Sequence, residues 1–236
     1  MSLIHSPNIS RNGLILHHDT ANLKSYPGSG TTIIDLSGKG NGGSFSGSPV
    51  FDANNKGSIA FTSNGYIVLP VCSQLFPLVY HTLEAWVKSP GVGAGMATSG
   101  VFGITYGLIV QLVPSGYVSY YAYTTDSGGS PTLFAINSSP SVINVFDNKW
   151  HHVVCTRDTS LVSIYIDGQL MTTGANGGTW SGSNIWSAMN GVIGKNPNNS
   201  TYFANGNIGN CKIYNRALSA AEITQNFEAL RGRYGV

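Results

Sequence analysis

Apolar and polar residues alternate most regularly in the middle of the chain. Val162, Ile164 and Ile166 fall on one side and Ser163, Tyr165 and Asp167 on the other, the period-two pattern of a half-buried strand over Leu161 to Ile166. The run before it, Trp150 to Arg157, is rich in aromatic and β-branched residues, and Asp158-Thr159-Ser160 is a polar break that can turn the chain. Asp167-Gly168 tolerates positive φ at both central positions of a type I′ turn, so Gln169 to Thr173 is expected to fold back. The pattern predicts a three-stranded meander with one wet and one dry face.

Strand patterning recurs on both sides of this meander. Gly13 to His18 reads as a first strand, and Ser25 to Gly43 as loop and turn chemistry throughout. Gly57 to Phe61 and Tyr66 to Leu69 are expected to form a hairpin around Ser63-Asn64-Gly65. In His81 to Lys88, Leu83, Ala85 and Val87 alternate with Thr82, Glu84 and Trp86, so both faces pack, as in a strand inside a sandwich. Val101 to Val113, broken by Gly103, Tyr106 and Gly107, reads as two core strands, the second pairing with Tyr117 to Tyr123 across Pro114-Ser115-Gly116. Ile185 to Gly194 and Gly206 to Tyr214 complete the sheets. A helix follows from Ser219 to about Leu230. Ser219 and Glu222 form a capping box, Leu218 and Ile223 suit a hydrophobic staple, and Ile223, Phe227 and Leu230 recur on one face. The expected fold is all-β, a two-sheet antiparallel sandwich with one short C-terminal α-helix, in a single domain over 1–236 with an N-terminal arm at 1–12.

Composition narrows the function. Thirty Gly and 11% aromatic residues suit many short strands and tight turns, while only 9% charged residues suits a protein that buries surface against partners, a homo-oligomer included. The net charge of +2 comes without a basic run, which argues against nucleic acid. The N-terminus lacks the features of a secretory signal, and no apolar stretch reaches the ~20 residues needed to span a bilayer. Cys72, Cys155 and Cys211 are too few and too scattered for a zinc knuckle or a disulfide framework, and Cys155 and Cys211 read as small apolar strand residues.

Several motifs carry a family resemblance. Trp150-His151-His152 to Arg157, followed by Ile164 to Gly168, resembles the central hairpin of laminin G-like jelly rolls in the concanavalin A-like lectin/glucanase superfamily. Asp35 to Asn41 resembles the family's Asp-x-Ser-Gly-x-Gly-Asn loop. Gly57-Ser58-Ile59-x-Phe61 with Tyr66 to Pro70 matches a further segment, Trp86 stands where the family has a core Trp, and Gly206 to Phe227 resembles its last strand and helix. The resemblance implies a jelly roll and assigns Trp150-His151-His152 a framework role. Two departures remove acidic side chains: Gly65 stands where relatives usually have Asp, and Gly209-Asn210 where many have Asp-Glu. The ending from Asn226 to Gly235, with the opening Ser25 to Thr32, looks like the version of the domain in tailed-phage virion proteins.

Active chemistry has little to stand on. Some relatives are endoglucanases, and glycoside hydrolysis needs two carboxyl groups roughly 5–10 Å apart. Glu84 is the only Glu before Glu222, and Asp147, Asp158 and Asp167 read as turn residues. His17-His18 and His151-His152 are adjacent on strands, so each pair points to opposite faces and cannot give two ligands to one ion. Asp35 either caps its own turn or helps hold a weak calcium ion. No enzyme activity, metal or cofactor is expected.

The expected function is that of a non-enzymatic phage virion structural protein, a tail-fibre, baseplate or capsid-surface component contacting host surface glycans or other virion proteins. A free carbohydrate-binding lectin and a degenerate glucanase are the alternatives. Candidate ligand contacts are Trp180, Trp186 and Tyr202, which lie among Asn and Ser in polar loops, and Tyr121 and Tyr123, which share a strand face with Tyr117. The tyrosine row is equally good strand chemistry, and the two Trp equally suit a core or a subunit contact.

Overall fold

The computed structural model describes residues 7–61, 64–70, 80–92, 99–104, 108–125, 131–139, 142–175, 191–198 and 201–236. Its strands in chain order are β1 (Leu14–Asp19), β2 (Thr32–Ile33), β3 (Gly43–Ser46), β4 (Val50–Asp52), β5 (Ser58–Phe61), β6 (Tyr66–Val68), β7 (His81–Lys88) and β8 (Ser99–Ile104). They continue with β9 (Leu108–Val113), β10 (Tyr117–Thr125), β11 (Pro131–Asn137), β12 (Trp150–Arg157), β13 (Leu161–Ile166), β14 (Gln169–Ala175), β15 (Gly191–Ile193) and β16 (Gly206–Tyr214), and the chain closes with α1 (Ala220–Tyr234).

Period-two patterning builds two antiparallel sheets that share one core. One runs β14-β13-β12-β7-β16-β5-β4, with β1 also on β16, and the other β11-β10-β9-β8-β15-β6-β3-β2. Leu83, Ala85, Val87, Val153 and Cys155 enter the core from the first, and Val110, Leu112, Val118, Tyr120 and Ala122 from the second. The result is the jelly-roll sandwich expected from the sequence. Cys155 and Cys211 are free thiols inside this core. Between β13 and β14, Asp167 and Gly168 sit at φ 52° and 77°, the positive pair a type I′ turn needs.

Four expectations change. Ser58–Phe61 and Tyr66–Val68 are not a hairpin: β5 pairs with β16 and β4, and β6 with β15 and β3, so the chain crosses between sheets there. Ile59 and Phe61 enter the core from one side and Ile67 from the other, and local alternation cannot distinguish that from pairing. Ser25 to Gly43 is not all loop, because it contains β2 and begins β3. The meander is not wet on one side throughout: every residue of β12 is buried, because α1 covers its outer face. The helix also continues past Leu230 to Tyr234, through Gly232, a poor helix former. Tertiary contacts outweigh that cost: the Tyr234 ring stacks on Trp86 at 4.2 Å, and Arg233 Nη1 lies 2.7 Å from Asp19 Oδ1. The N-terminus follows expectation, with a complete Ser219/Glu222 capping box and Leu218 clustered with Ile223.

Candidate functional site

The two sheets present unlike outer faces. On the sheet that carries α1, hereafter the covered sheet, Trp86 lies flat against Tyr234, Phe227 and His152, with interplanar angles of 13°, 13° and 29°. Gly209 makes this stack possible, since a Cβ there would stand 2.3 Å from the Tyr234 hydroxyl. Beside the stack, Glu84 and Lys212 are both fully buried and in direct ionic contact. Asn226 Nδ2 donates to Glu84 Oε2 at 2.7 Å and to the Tyr214 hydroxyl at 3.0 Å, and His152 Nε2 lies 3.0 Å from Glu84 Oε1. Burial alone would raise the Glu84 pKa, but Lys212 and His152 outweigh it and hold the carboxyl ionised, well below the ordinary range. A buried Glu beside Lys and His looks catalytic in a sequence. Here its partners and the overlying helix close it off, and it fixes α1 on the sheet.

Among the described residues, His17, His18, His151 and Asp35 are similarly engaged. Asp35 accepts from His17 N, Ser37 N, Ser37 Oγ and Asn41 N at 2.7–3.0 Å, so its lone pairs are used in capping the loop. Burial opposes these bonds, yet they hold its pKa below the usual carboxylate value. His18 is buried and donates from Nε2 to the Asn41 carbonyl at 3.0 Å; burial pushes its pKa down to about 4. His17 is lowered to about 4 as well, by burial and by Lys212. His151 behaves oppositely: burial would lower its pKa, but Asp167 at 2.8 Å and Asp147 at 3.1 Å raise it. Thus His151 and His152 point apart, as strand geometry requires.

The second sheet contains no Asp, Glu, Lys, Arg or His in any of its eight strands. On this uncharged sheet, one outward row runs by register across every strand: Thr32, Ser44, Val68, Val192, Gly103, Ile109, Tyr121 and Ala135. A strap formed by residues 195–198 and 201–203 crosses the middle of this face. It is closed by a bridge between Lys195 and Phe203, and Asn196 Nδ2 donates to Gln111 Oε1 at 3.0 Å. Two glycines let it lie flat: a Cβ on Gly100 would stand 2.3 Å from Asn196 N, and one on Gly103 would stand 2.1 Å from Pro197 Cδ.

To one side of the strap lies an open groove of about 600 Å³ lined by Thr32, Ser44, Val68, Pro70 and the Gly40–Gly43 turn. To the other side, Tyr117 and Tyr121 are half-buried. Tyr202 is half-buried on the strap itself, its carbonyl accepting from Asn196 N at 2.7 Å. Two of the five sequence candidates, Tyr121 and Tyr202, therefore share one sheet face, although no ring contact joins them among the described residues. Trp180 and Trp186 lie outside the described residues, as does the side chain of Tyr123.

A family model of the laminin G-like kind, described as concanavalin A-like lectin/glucanases superfamily, matches residues 61–224. The chain belongs to this superfamily. Solved structures agree on the fold. Domain 4 of AbnA, a GH43 extracellular arabinanase from Geobacillus stearothermophilus, in complex with arabinotriose, is 19% identical with a TM-score of 0.65, over 90% of this chain and 97% of that one. The binding domain of botulinum neurotoxin DC, solved with rat synaptotagmin II, is 14% identical with a TM-score of 0.66 over 93% of this chain. A botulinum neurotoxin type C structure, whose report concerns cell entry through two ganglioside molecules, is also 14% identical, with a TM-score of 0.67 over 93% of this chain. This chain spans about half of each toxin domain, 52%. A comparison with curated proteins finds no match.

Within this superfamily fold, residue-level reading missed the groove and its neighbours. Thr32 sits in a stretch that reads as turns, Ser44 directly follows it, and Lys195 has no motif around it. Only the absence of charge from the strands themselves was visible, and its significance depends on knowing which strands share a sheet.

Proposed function

We propose that this protein is a non-enzymatic structural component of a tailed-phage virion, and that it binds glycans through the outer face of its uncharged sheet. The observation that carries the reading is the groove beside Val68 on a face whose strands hold no carboxylate: the groove offers hydroxyls and apolar surface, Tyr66, Tyr121 and Tyr202 stand elsewhere on the same face, and there is no strand-borne acid–base pair. Tyrosine faces suit the apolar side of a pyranose, while Thr32 and Ser44 hydroxyls can both donate and accept. The arabinotriose-bound arabinanase domain and the ganglioside-dependent toxin share the fold and support a carbohydrate ligand. The tailed-phage setting rests on the resemblance of the Asn226 to Gly235 ending.

The test combines three measurements on the unmutated protein. Glycan-array binding, no release of reducing sugar from bound oligosaccharides, and detection of the chain in purified particles by mass spectrometry are the expected results. Released reducing sugar would reject the non-enzymatic reading. Absence from particles would leave a free lectin, and particle incorporation without glycan binding would reassign the face to subunit contacts.

A further inference from the structure

One cation stands over the uncharged face. Lys195 Nζ lies 4.8 Å from the centroid of the Tyr66 ring and 5.0 Å from that of Phe203, while the two rings sit 6.1 Å apart. Lys195 is half-buried, and among the described residues no carboxylate pairs with it. Two aromatic faces stabilise the ammonium without neutralising it, and they fix where it stands. That place is beside the groove: Tyr66 and Val68 are alternate residues of β6 on the outer face, and Val68 lines the groove. The Ser46 and Ser44 partners of Tyr66 and Val68 bring hydroxyl-bearing β3 alongside.

We propose that the ligand of this groove is a glycan carrying an anionic sugar, with Lys195 as the group that meets its charge. This deepens the glycan reading and rests on it. A neutral sugar could take only a hydrogen bond from the Lys195 ammonium, whereas an acidic one also meets a pre-positioned counter-charge on a face whose strands carry none. Desolvation on a half-buried, apolar surface strengthens that attraction relative to an exposed pair. The same chemistry is offered by sialic acid, a uronic acid or a sulfated sugar, because a point-charge ammonium does not select among them.

The test uses matched oligosaccharide pairs on the full chain: sialylated against desialylated, uronate against its carboxyl-reduced form, and sulfated against desulfated. At least one acidic member is expected to bind about fivefold or more tightly than its neutral counterpart, with the ratio shrinking as salt is raised. Lys195→Gln, which removes the charge but leaves an unbranched polar side chain, is expected to bring that ratio to about one, and Lys195→Arg to preserve it; thermal melts establish that both variants fold. Equal binding of every pair, or an unchanged ratio in Lys195→Gln, overturns this inference and leaves the glycan reading standing. Failure of both members of every pair to bind overturns the two together.

Discussion

The covered sheet and the uncharged sheet are built by the same alternation and differ in what their outward residues do. In the first, outward positions hold Glu84, Trp86, His152, Lys212 and Tyr214, and a helix is laid over them with its own Asn226, Phe227 and Tyr234 completing the network. In the second, outward positions are Thr, Ser, Gln, Tyr, Gly and small apolar residues, crossed by a strap and opening into a groove. Charge buried beneath a helix demands partners, and on the covered face Glu84, Lys212 and Asn226 supply them to one another. An uncharged face can stay open. Perturbing the first face should move stability, and perturbing the second should move binding.

The largest effect is expected at the buried pair. Lys212→Met removes the lysine that pairs with the buried Glu84 carboxylate and should cost about 3–5 kcal/mol in denaturant unfolding, with much of the loss recovered when Glu84→Gln is added. A loss below about 1 kcal/mol would show the pair to be dispensable. Phe227→Ala, which opens the ring stack under α1, should cost about 3–5 kcal/mol and lower the melting temperature without changing glycan affinity.

Acid should act on the covered sheet next. His18 has a folded pKa of about 4 against 6.5 unfolded, so the unfolded chain takes up the proton first. Its contribution is complete above pH 6.5 and is lost as pH falls from 6.5 towards 4, by about 3 kcal/mol in all. His151, whose folded pKa is raised, works with the opposite sign: its contribution is complete below pH 6.5 and is lost as pH rises through the raised value. Unfolding free energies at pH 7 and pH 4.5 check the balance, and a protein no less stable at pH 4.5 would contradict the buried, neutral state of His18.

The smallest stability effect belongs to the uncharged sheet. Tyr121→Ala, at a half-buried outward position, should shift unfolding by under about 1 kcal/mol while weakening glycan binding, read by titration calorimetry. A large stability loss with unchanged binding would return the tyrosine row to ordinary strand packing.

How much of this was legible in the sequence follows from the range of the interactions. His81 to Lys88 and Gly206 to Tyr214 coincide with β7 and β16, because alternation and bounding turns are local signals. The capping box and the Asp167-Gly168 turn were equally local. The crossover between Phe61 and Tyr66 was not, since inward residues of two different sheets read like those of one hairpin. Glu84 showed only as a solitary carboxylate; its pairing with Lys212, 128 positions away, depends on β16 lying beside β7. The candidate site divides the same way. Tyr121 could be placed on a strand face by counting, and Asp35 could be read as a cap or a ligand from its loop. Lys195 between Tyr66 and Phe203 could not be foreseen, because the strap's path over Gly100 and Gly103 is a long-range packing outcome.

The division of labour between the two faces is tested most directly by following backbone amide shifts while an array-positive oligosaccharide is titrated into the labelled protein. The account predicts perturbations concentrated at Thr32, Ser44, Tyr66, Val68, Tyr121, Lys195 and Tyr202, with Glu84, Trp86, Lys212 and Phe227 unmoved. Shifts centred on α1 and the residues beneath it, with the groove silent, would contradict it.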